Sequence, residues 1–164
     1  MKKLALILTV LCGLSVTSFA QSAKTSIGFE AGLPVGDAKN VYDAVIGGSL
    51  KYDLPIATST YFTISAGYSA FLTNDVTEAF TGKSSFGFVP VKAGIKYFFD
   101  QGFYGEGQLG AVFSTQNNGG TAFAYAPGIG YAFPGGFDLG ARYEGWSKDG
   151  GTTGQATLRL AFNF

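Results

Sequence analysis

The sequence contains no histidine, and this absence excludes whole classes of chemistry. Ser-His and Cys-His nucleophile pairs, imidazole general bases and histidine-ligated metal sites are all unavailable. Cysteine is almost absent as well. The one cysteine, Cys12, lies in an apolar segment near the N-terminus. Beyond that segment the sequence offers no disulfide, no free thiol and no cysteine ligand for a metal.

Charged residues are also scarce. Asp, Glu, Lys and Arg make up 13% of the 164 residues, where an ordinary globular domain has about 25%. Positive and negative charges balance, so electrostatics gives no reason to expect nucleic acid as a partner. Apolar residues reach 46% and aromatic residues 16%, so the chain is too apolar to be disordered. We expect one folded domain with an unusually apolar exterior.

The N-terminus has the parts of a secretory signal peptide. Two lysines precede an apolar run, and small residues then occupy the −3 and −1 positions of a cleavage site between Ala20 and Gln21. We therefore predict a signal peptide over residues 1–20 and a single domain over residues 21–164. A retained membrane anchor is the alternative, but the apolar run is barely long enough to span a bilayer.

Beyond residue 20, apolar residues alternate with polar or small ones. The clearest run is the last, which carries Leu158, Leu160, Phe162 and Phe164. A period of two places such residues on one face of a β-strand. Eight runs of this kind follow one another along the sequence, and each has about ten residues, the length that a tilted transmembrane strand needs.

The links between the eight runs alternate in length. Longer polar links are predicted after the odd-numbered strands, at 36–43, 74–84, 115–120 and 147–154. Tight turns are predicted after strands two, four and six, at 55–59, 100–102 and 134–136. Long links at one rim and short turns at the other are typical of outer-membrane barrels. The sequence thus predicts an all-β fold, an eight-stranded antiparallel up-and-down transmembrane β-barrel.

The strand parity separates charged from bulky apolar side chains. Ten charged residues fall on the face opposite the bulky one, namely Glu30, Lys51, Asp53, Lys92, Lys96, Glu106, Asp138, Arg142, Glu144 and Arg159. The bulky face carries sixteen aromatic residues, which would overfill an eight-stranded lumen. We therefore predict that the ten charges form a structural network inside the lumen. The apolar face then contacts lipid, where a Lys or Arg at the midplane costs about 2–4 kcal/mol.

Three finer expectations concern the barrel wall. Counting outward from Gln101 in its tight turn places Lys96 opposite Glu106, and we expect these two side chains to form an ion pair. Pro90 and Pro127 fall inside strands, where each removes a hydrogen bond, so we expect a bulge at both. Aromatic residues at the short-turn rim match an interfacial girdle. They are Tyr52, Phe62, Tyr97, Phe99, Phe103, Tyr131, Phe133, Phe137, Phe162 and Phe164.

Two segments, 88–99 (FVPVKAGIKYFF) and 123–131 (FAYAPGIGY), resemble parts of small eight-stranded outer-membrane β-barrel proteins. The resemblance is to proteins of OmpA/OmpX-like architecture, of the "outer membrane beta-barrel" or "porin family" type common in Bacteroidetes. The closing strand, with Leu158, Leu160, Phe162 and Phe164, is similar to the C-terminal aromatic signal read by the barrel-assembly machinery. The resemblance implies a Gram-negative outer-membrane location, with lipid and the assembly machinery as partners, and says nothing about activity.

Nothing in the sequence indicates an active site. Residues 105–110 match the G-x-G-x-x-G pattern of dinucleotide-binding folds, but no helical pattern follows and no acidic residue lies about 20 positions on. Barrel enzymes of the family that the chain resembles use His with Ser or Asp, which argues against a protease, lipase or acyltransferase. We expect no catalytic, cofactor-binding or metal-binding residues, no cofactor, no nucleic acid partner and a monomer.

The interpretation that follows is a non-enzymatic outer-membrane barrel with a side-chain-filled, charge-paired lumen, serving envelope structure or surface interaction. One alternative is a porin-like channel for small solutes, which requires a continuous water path past the lumenal charges. A second alternative is a soluble secreted barrel that binds an apolar ligand, which requires the aromatic side chains to point inward.

Overall fold

The computed structural model describes residues 22–116 and 119–164. Cys12, the expected signal peptide and its cleavage site at Ala20 and Gln21 lie outside these residues. Eight antiparallel strands in chain order close into one barrel, which confirms the predicted fold. The strands are β1 (Lys24–Val35), β2 (Tyr42–Ala57), β3 (Thr60–Thr73), β4 (Ser85–Phe98), β5 (Phe103–Ser114), β6 (Thr121–Ala132), β7 (Phe137–Lys148) and β8 (Gly151–Asn163).

The barrel closes where β8 pairs with β1. Ten residue pairs join these strands, from Ser26 opposite Asn163 to Val35 opposite Gly154. Phe164 extends the seam, because its backbone N–H donates to the carbonyl of Thr25 at 2.8 Å. The closed ladder leaves no sheet edge exposed, which is the condition for β-strands to cross a bilayer.

Two short helical segments lie at the long-link rim. A 3₁₀ turn occupies Gly36–Asn40, and the helix α1 occupies Asp75–Thr81 inside the predicted 74–84 link. The side chain of Asn74 caps α1 by accepting a hydrogen bond from the Thr77 N–H at 2.8 Å, as N-cap residues do. Among the described residues, no helix has the length and apolar character needed to cross a membrane.

The bulky apolar face of the wall points outward. Phe29, Leu109 and Ile129 are 61%, 59% and 55% exposed, although they lie within strands. Of the sixteen aromatic residues assigned to this face, fourteen are exposed, and only Phe62 and Tyr125 are half-buried. This orientation contradicts a soluble barrel that binds an apolar ligand, because that protein would turn the same side chains inward.

The last predicted link is wrong. Residues 147–154 were expected to form a long polar link, but β7 and β8 continue through them and pair as far as Lys148 opposite Gly151. A two-residue turn of Asp149 and Gly150 joins the strands, with φ of +51° and +83°. Asp-Gly is a favoured sequence for this kind of hairpin turn, because both central residues need positive φ. The links after β1, β3 and β5 are the longer ones, as predicted.

The expected bulges at the two prolines are absent. Pro90 stays in register with Val112 on β5, and Pro127 stays in register with Gly107 on β5. The pairing of β4 with β3 and the pairing of β6 with β7 each skip two residues at the proline and then resume in the same register. Proline removes one donor, which faces one neighbouring strand, so a local gap suffices and no extra residue is inserted.

The wall does contain irregularities, but at both ends of β2. The register with β3 shifts by one residue between Tyr42 and Ala44, and again between Pro55 and Ala57. A one-residue bulge reverses which face the following side chains occupy. Because of the first bulge, Tyr42 lies opposite Thr73 and packs inside the barrel against Phe71.

Candidate functional site

The upper part of the lumen, nearest the long-link rim, is filled by aromatic rings. Phe71 and Trp146 are buried, and Tyr42 and Phe88 pack against them half-buried. Ring centroids lie 5.0 Å apart for Phe71 and Trp146 and 5.0 Å apart for Phe88 and Trp146. Such edge-on and tilted packing is favourable for aromatic pairs. We call these four residues the aromatic floor, because they close the lumen below the long links.

Below the aromatic floor lies the first of two groups of charged side chains. We call it the upper charge group, and it consists of Glu30, Lys92, Arg142, Glu144 and Arg159. Lys92 Nζ lies 2.5 Å from Glu144 Oε2, and Arg142 Nε donates to the same oxygen at 3.0 Å. Arg142 also reaches Glu30 on β1 at 2.5 Å. The group therefore joins strands on opposite sides of the barrel.

Hydroxyl groups complete the upper charge group. Ser49 Oγ donates to Glu30 at 2.6 Å and accepts from Arg159 Nε at 3.0 Å. Arg159 also donates to Ser26 Oγ at 3.1 Å. Each buried charge thus meets an opposite charge or a polar partner, which offsets the cost of removing it from water.

A second group lies nearer the short-turn rim. We call it the lower charge group, and it consists of Lys51, Asp53, Lys96, Glu106 and Asp138. Lys51 Nζ pairs with Glu106 at 3.1 Å, while Lys96 Nζ pairs with Asp53 at 2.7 Å and approaches Asp138 at 3.7 Å. Tyr104 donates to Asp138 at 2.7 Å. The upper group contains one more cation than anions and the lower group one more anion than cations, so positive charge lies toward the long-link rim.

The expected ion pair between Lys96 and Glu106 does not form. The register is as predicted, with the two residues opposite each other on β4 and β5. Their heads nevertheless pair with β2, Lys96 with Asp53 and Glu106 with Lys51. In a narrow lumen, inward side chains converge on the axis, so long side chains reach partners across the barrel as readily as neighbours in the wall.

Cavities lie at both mouths of the barrel. The cavity at the long-link mouth, which we call the cup, has a volume of about 370 Å³ and rests on the aromatic floor. Asp37, Ser114, Lys148 and Thr153 are among the residues around its sides. A second cavity of about 500 Å³ lies at the short-turn mouth, beside Phe98 and Gln101. No described residue lines both cavities, because the floor and the charge groups lie between them.

The aromatic floor was missed from the sequence. Phe71, Phe88 and Trp146 stand on the same parity as the lumenal charges, and an apolar residue there breaks the polar alternation. That break is the available signal, and Trp146 is the clearest case, since it follows the inward Arg142 and Glu144 in steps of two. Tyr42 could not be found in this way, because the bulge changes its parity.

The remaining candidate residues lie in the barrel wall. Residues 105–110 lie within β5, and the next element in the described part of the chain is the strand β6. In the described part of the chain, no group of three or more acidic residues is arranged to hold a metal ion. Leu158 and Leu160 face outward from β8, and Phe162 and Phe164 continue this outward row to the end of the seam.

Comparison with known proteins agrees with this geometry. The family model described as "Outer membrane protein beta-barrel domain" matches residues 6–164. The chain belongs to this family. It is accordingly an outer-membrane β-barrel protein. A search of curated protein sequences finds no match.

Several solved structures share the fold of this outer-membrane barrel. Ail, the attachment invasion locus protein of Yersinia pestis, is 20% identical, with a TM-score of 0.59 over 87% of this chain and 97% of Ail. The N-terminal barrel domain of Pseudomonas aeruginosa OprF is 16% identical, with a TM-score of 0.58 over 86% of this chain and 97% of that domain. The outer-membrane enzyme PagL is 14% identical, with a TM-score of 0.56 over 84% and 98%. Identities this low relate the folds and not the activities.

Proposed function

We propose that this protein is a non-enzymatic, electrically closed barrel that serves envelope structure or surface contact. The observation that carries the proposal is the filling of the lumen by the two charge groups beneath the aromatic floor. Lys92, Lys96 and Glu144 are each at most 4% exposed, so water has little access to the middle of the barrel. An eight-stranded lumen is just wide enough for side chains to fill it.

The proposal also includes the orientation of the barrel in the membrane and the route by which the protein reaches it. We propose that the long-link rim, with α1 and the cup, faces the cell exterior, and that the short turns and both strand termini face the periplasm, as in other outer-membrane barrels. Cleavage of the signal peptide after Ala20 and recognition of the last strand by the assembly machinery belong to the same proposal. So do the monomeric state and the Bacteroidetes type, the latter on segments 88–99 and 123–131.

A catalytic role has little support. PagL is described as an enzyme, but the present chain contains no histidine to act as a general base. The inward carboxylates of Glu106, Glu144 and Asp53 pair with lysine side chains inside the filled lumen and do not lie beside an open cleft. We therefore propose that these carboxylates are structural.

Single-channel recording in a planar bilayer tests the closed lumen. The protein is purified from the outer-membrane fraction and checked for a heat-dependent shift on a gel, which reports a folded barrel. Folded protein that produces no conductance steps is the expected result. Steady conductance would replace the proposal with a porin-like channel for small solutes.

A variant of the upper charge group tests whether this group causes the absence of conductance. Replacing both Arg142 and Glu30 by Ala removes an oppositely charged pair from the upper charge group without altering the net charge of the lumen. If this group helps to exclude ions, the folded double variant conducts while the parent protein does not. The matched control replaces the exposed residues Lys39 and Asp43, outside the lumen, by Ala and is expected to remain silent.

A further inference from the structure

We propose that the cup is a binding site for a neutral sugar ring, such as one hexose unit of a surface glycan. The inference rests on the proposed function, because it assigns a ligand class to the surface contact suggested above. The carrying observation is a cavity whose floor is aromatic, whose sides are hydroxylated and whose charges cancel.

The size and position of the cup suit a small ligand. Its volume of about 370 Å³ lies in the range of about 300–1,000 Å³ found for ligand pockets. The lining comes from Asp37 in the link after β1, from Gly119 and Gly120 in the link after β5, from the five strands β2, β4, β5, β6 and β7, and from the start of β8. A ligand in the cup would thus contact most of the barrel mouth at once.

The floor of the cup is aromatic and held in place. Tyr42 and Phe88 are half-buried and line the cavity, and Trp146 lies beneath them with 4% of its surface exposed. Trp146 is anchored from below, because its indole N–H donates to Glu144 Oε1 at 2.7 Å. A rigid aromatic surface loses little conformational entropy on binding, so it favours a ligand with a flat apolar face.

The sides of the cup are polar. Ser114 and Thr153 supply hydroxyl groups, which both donate and accept hydrogen bonds. Lys148 is positioned by a hydrogen bond from its Nζ to the carbonyl of Gly119 at 2.7 Å, which leaves two further N–H donors on the ammonium. Asp37 contributes one carboxylate.

These two surfaces together select the ligand class. A pyranose ring has a C–H face that packs on aromatic rings and a rim of hydroxyl groups that pair with Ser, Thr, Asp and Lys. A purely apolar ligand would leave the hydroxyls of the cup without partners, which costs affinity. Among the described lining residues, one carboxylate and one ammonium cancel, so these residues carry no net charge to favour a strongly anionic ligand.

The chain contains its own reporter for this site. Trp146 is the only tryptophan in the sequence, and it lies in the floor of the cup. The experiment titrates the purified barrel, held in phospholipid nanodiscs without sugar-based detergent, with galactose, N-acetylglucosamine and maltose. Calorimetry runs alongside the fluorescence. The expected result is a saturable change in Trp146 emission with at least one of these sugars, and heat that saturates at the same concentration.

Variants assign the binding to the cup. Replacing Ser114 by Ala and Thr153 by Val removes two hydroxyl groups, each worth about 1 kcal/mol, so affinity is expected to fall by about tenfold or more. Lys148→Met is expected to weaken binding by about fivefold. The matched control Lys39→Met changes another exposed lysine at the same rim, outside the cup, and is expected to leave the affinity unchanged.

The outcomes separate this inference from the proposed function. Absence of a saturable response to all three sugars overturns the inference, as does a response that is equal in the cup variants and the parent protein. Equal affinity for a sugar that binds and for its 6-phosphate would also contradict it, because the cup would then not select a neutral ring. Channel conductance is recorded without sugar, so a silent barrel that ignores sugars leaves the closed-lumen proposal standing.

Discussion

The carboxylate of Glu144 accepts a hydrogen bond from the indole nitrogen of Trp146 at 2.7 Å through one oxygen and pairs with Lys92 at 2.5 Å through the other. This side chain therefore links the aromatic floor to the upper charge group. Its side chain is fully buried. The apolar and ionic layers of the lumen are thus one connected structure, and a change in either layer should be felt in the other.

Glu144→Gln should destabilise the barrel strongly. The amide can still accept from Trp146, but it leaves Lys92 and Arg142 with one negative charge fewer in a buried site. Breaking a buried ion pair costs about 3–5 kcal/mol. Urea unfolding of the barrel in lipid vesicles, followed by Trp146 fluorescence, measures the change. Glu78→Gln on the exposed helix α1 serves as the control, with an expected change of about 0.5 kcal/mol or less. Similar losses for both variants would contradict the role of Glu144.

The ion pairs of Lys96 can be tested by double-mutant cycles. Coupling between Lys96→Met and Asp53→Asn is expected to be about 1–3 kcal/mol, because the charged atoms lie 2.7 Å apart. Coupling between Lys96→Met and Glu106→Gln should be smaller, since the lysine turns away from its neighbour in the wall. Unfolding free energies of the single and double variants provide both values. A larger coupling with Glu106 would favour the pair expected from the sequence.

The difference between these two partners shows what a sequence can reveal here. Alternation with a period of two depends on backbone geometry, so it correctly assigned Leu109 outward and turned Lys96 and Glu106 toward the same side of the wall. Pairing of long side chains across a lumen depends on the barrel's cross-section, which no local pattern contains. Tyr42 entered the cup for a similar reason, because the neighbouring bulge is not visible in the alternation.

The turn between β7 and β8 shows the opposite situation. Here the sequence contains a local signal for a tight turn, but the surrounding polar residues favour a different prediction. Asp149 and Gly150 are a strong hairpin pair, but the polar residues around them suggested a long link. Thr153 is polar because it lines the cup from β8, and not because it belongs to a loop. Polarity at a barrel mouth therefore has two causes, and only the turn chemistry separates them.

Gly150→Ala should destabilise the barrel through backbone conformation alone. Gly150 has φ of +83°, which alanine adopts at a cost, and a Cβ there would meet no atom within 4 Å. We expect a loss of about 1 kcal/mol. Gly107→Ala is the matched control, since its Cβ would also meet open space but its φ is not positive, and it should be neutral or slightly stabilising. Urea unfolding midpoints compare the two variants. Equal effects at the two sites would argue against the two-residue turn.

A lysine on the outer wall tests the membrane orientation directly. Leu109 lies near the middle of β5, is 59% exposed and faces away from the lumen. Leu109→Lys should therefore place an ammonium in the hydrocarbon, at a cost of about 2–4 kcal/mol near the midplane. The free energy of unfolding from phospholipid vesicles gives the cost. Val76→Lys, on α1 at the long-link rim and 65% exposed, should change stability by about 0.5 kcal/mol or less. Equal tolerance of both lysines would mean that Leu109 faces water, and the bulky apolar parity could then no longer be the lipid-facing side of the barrel.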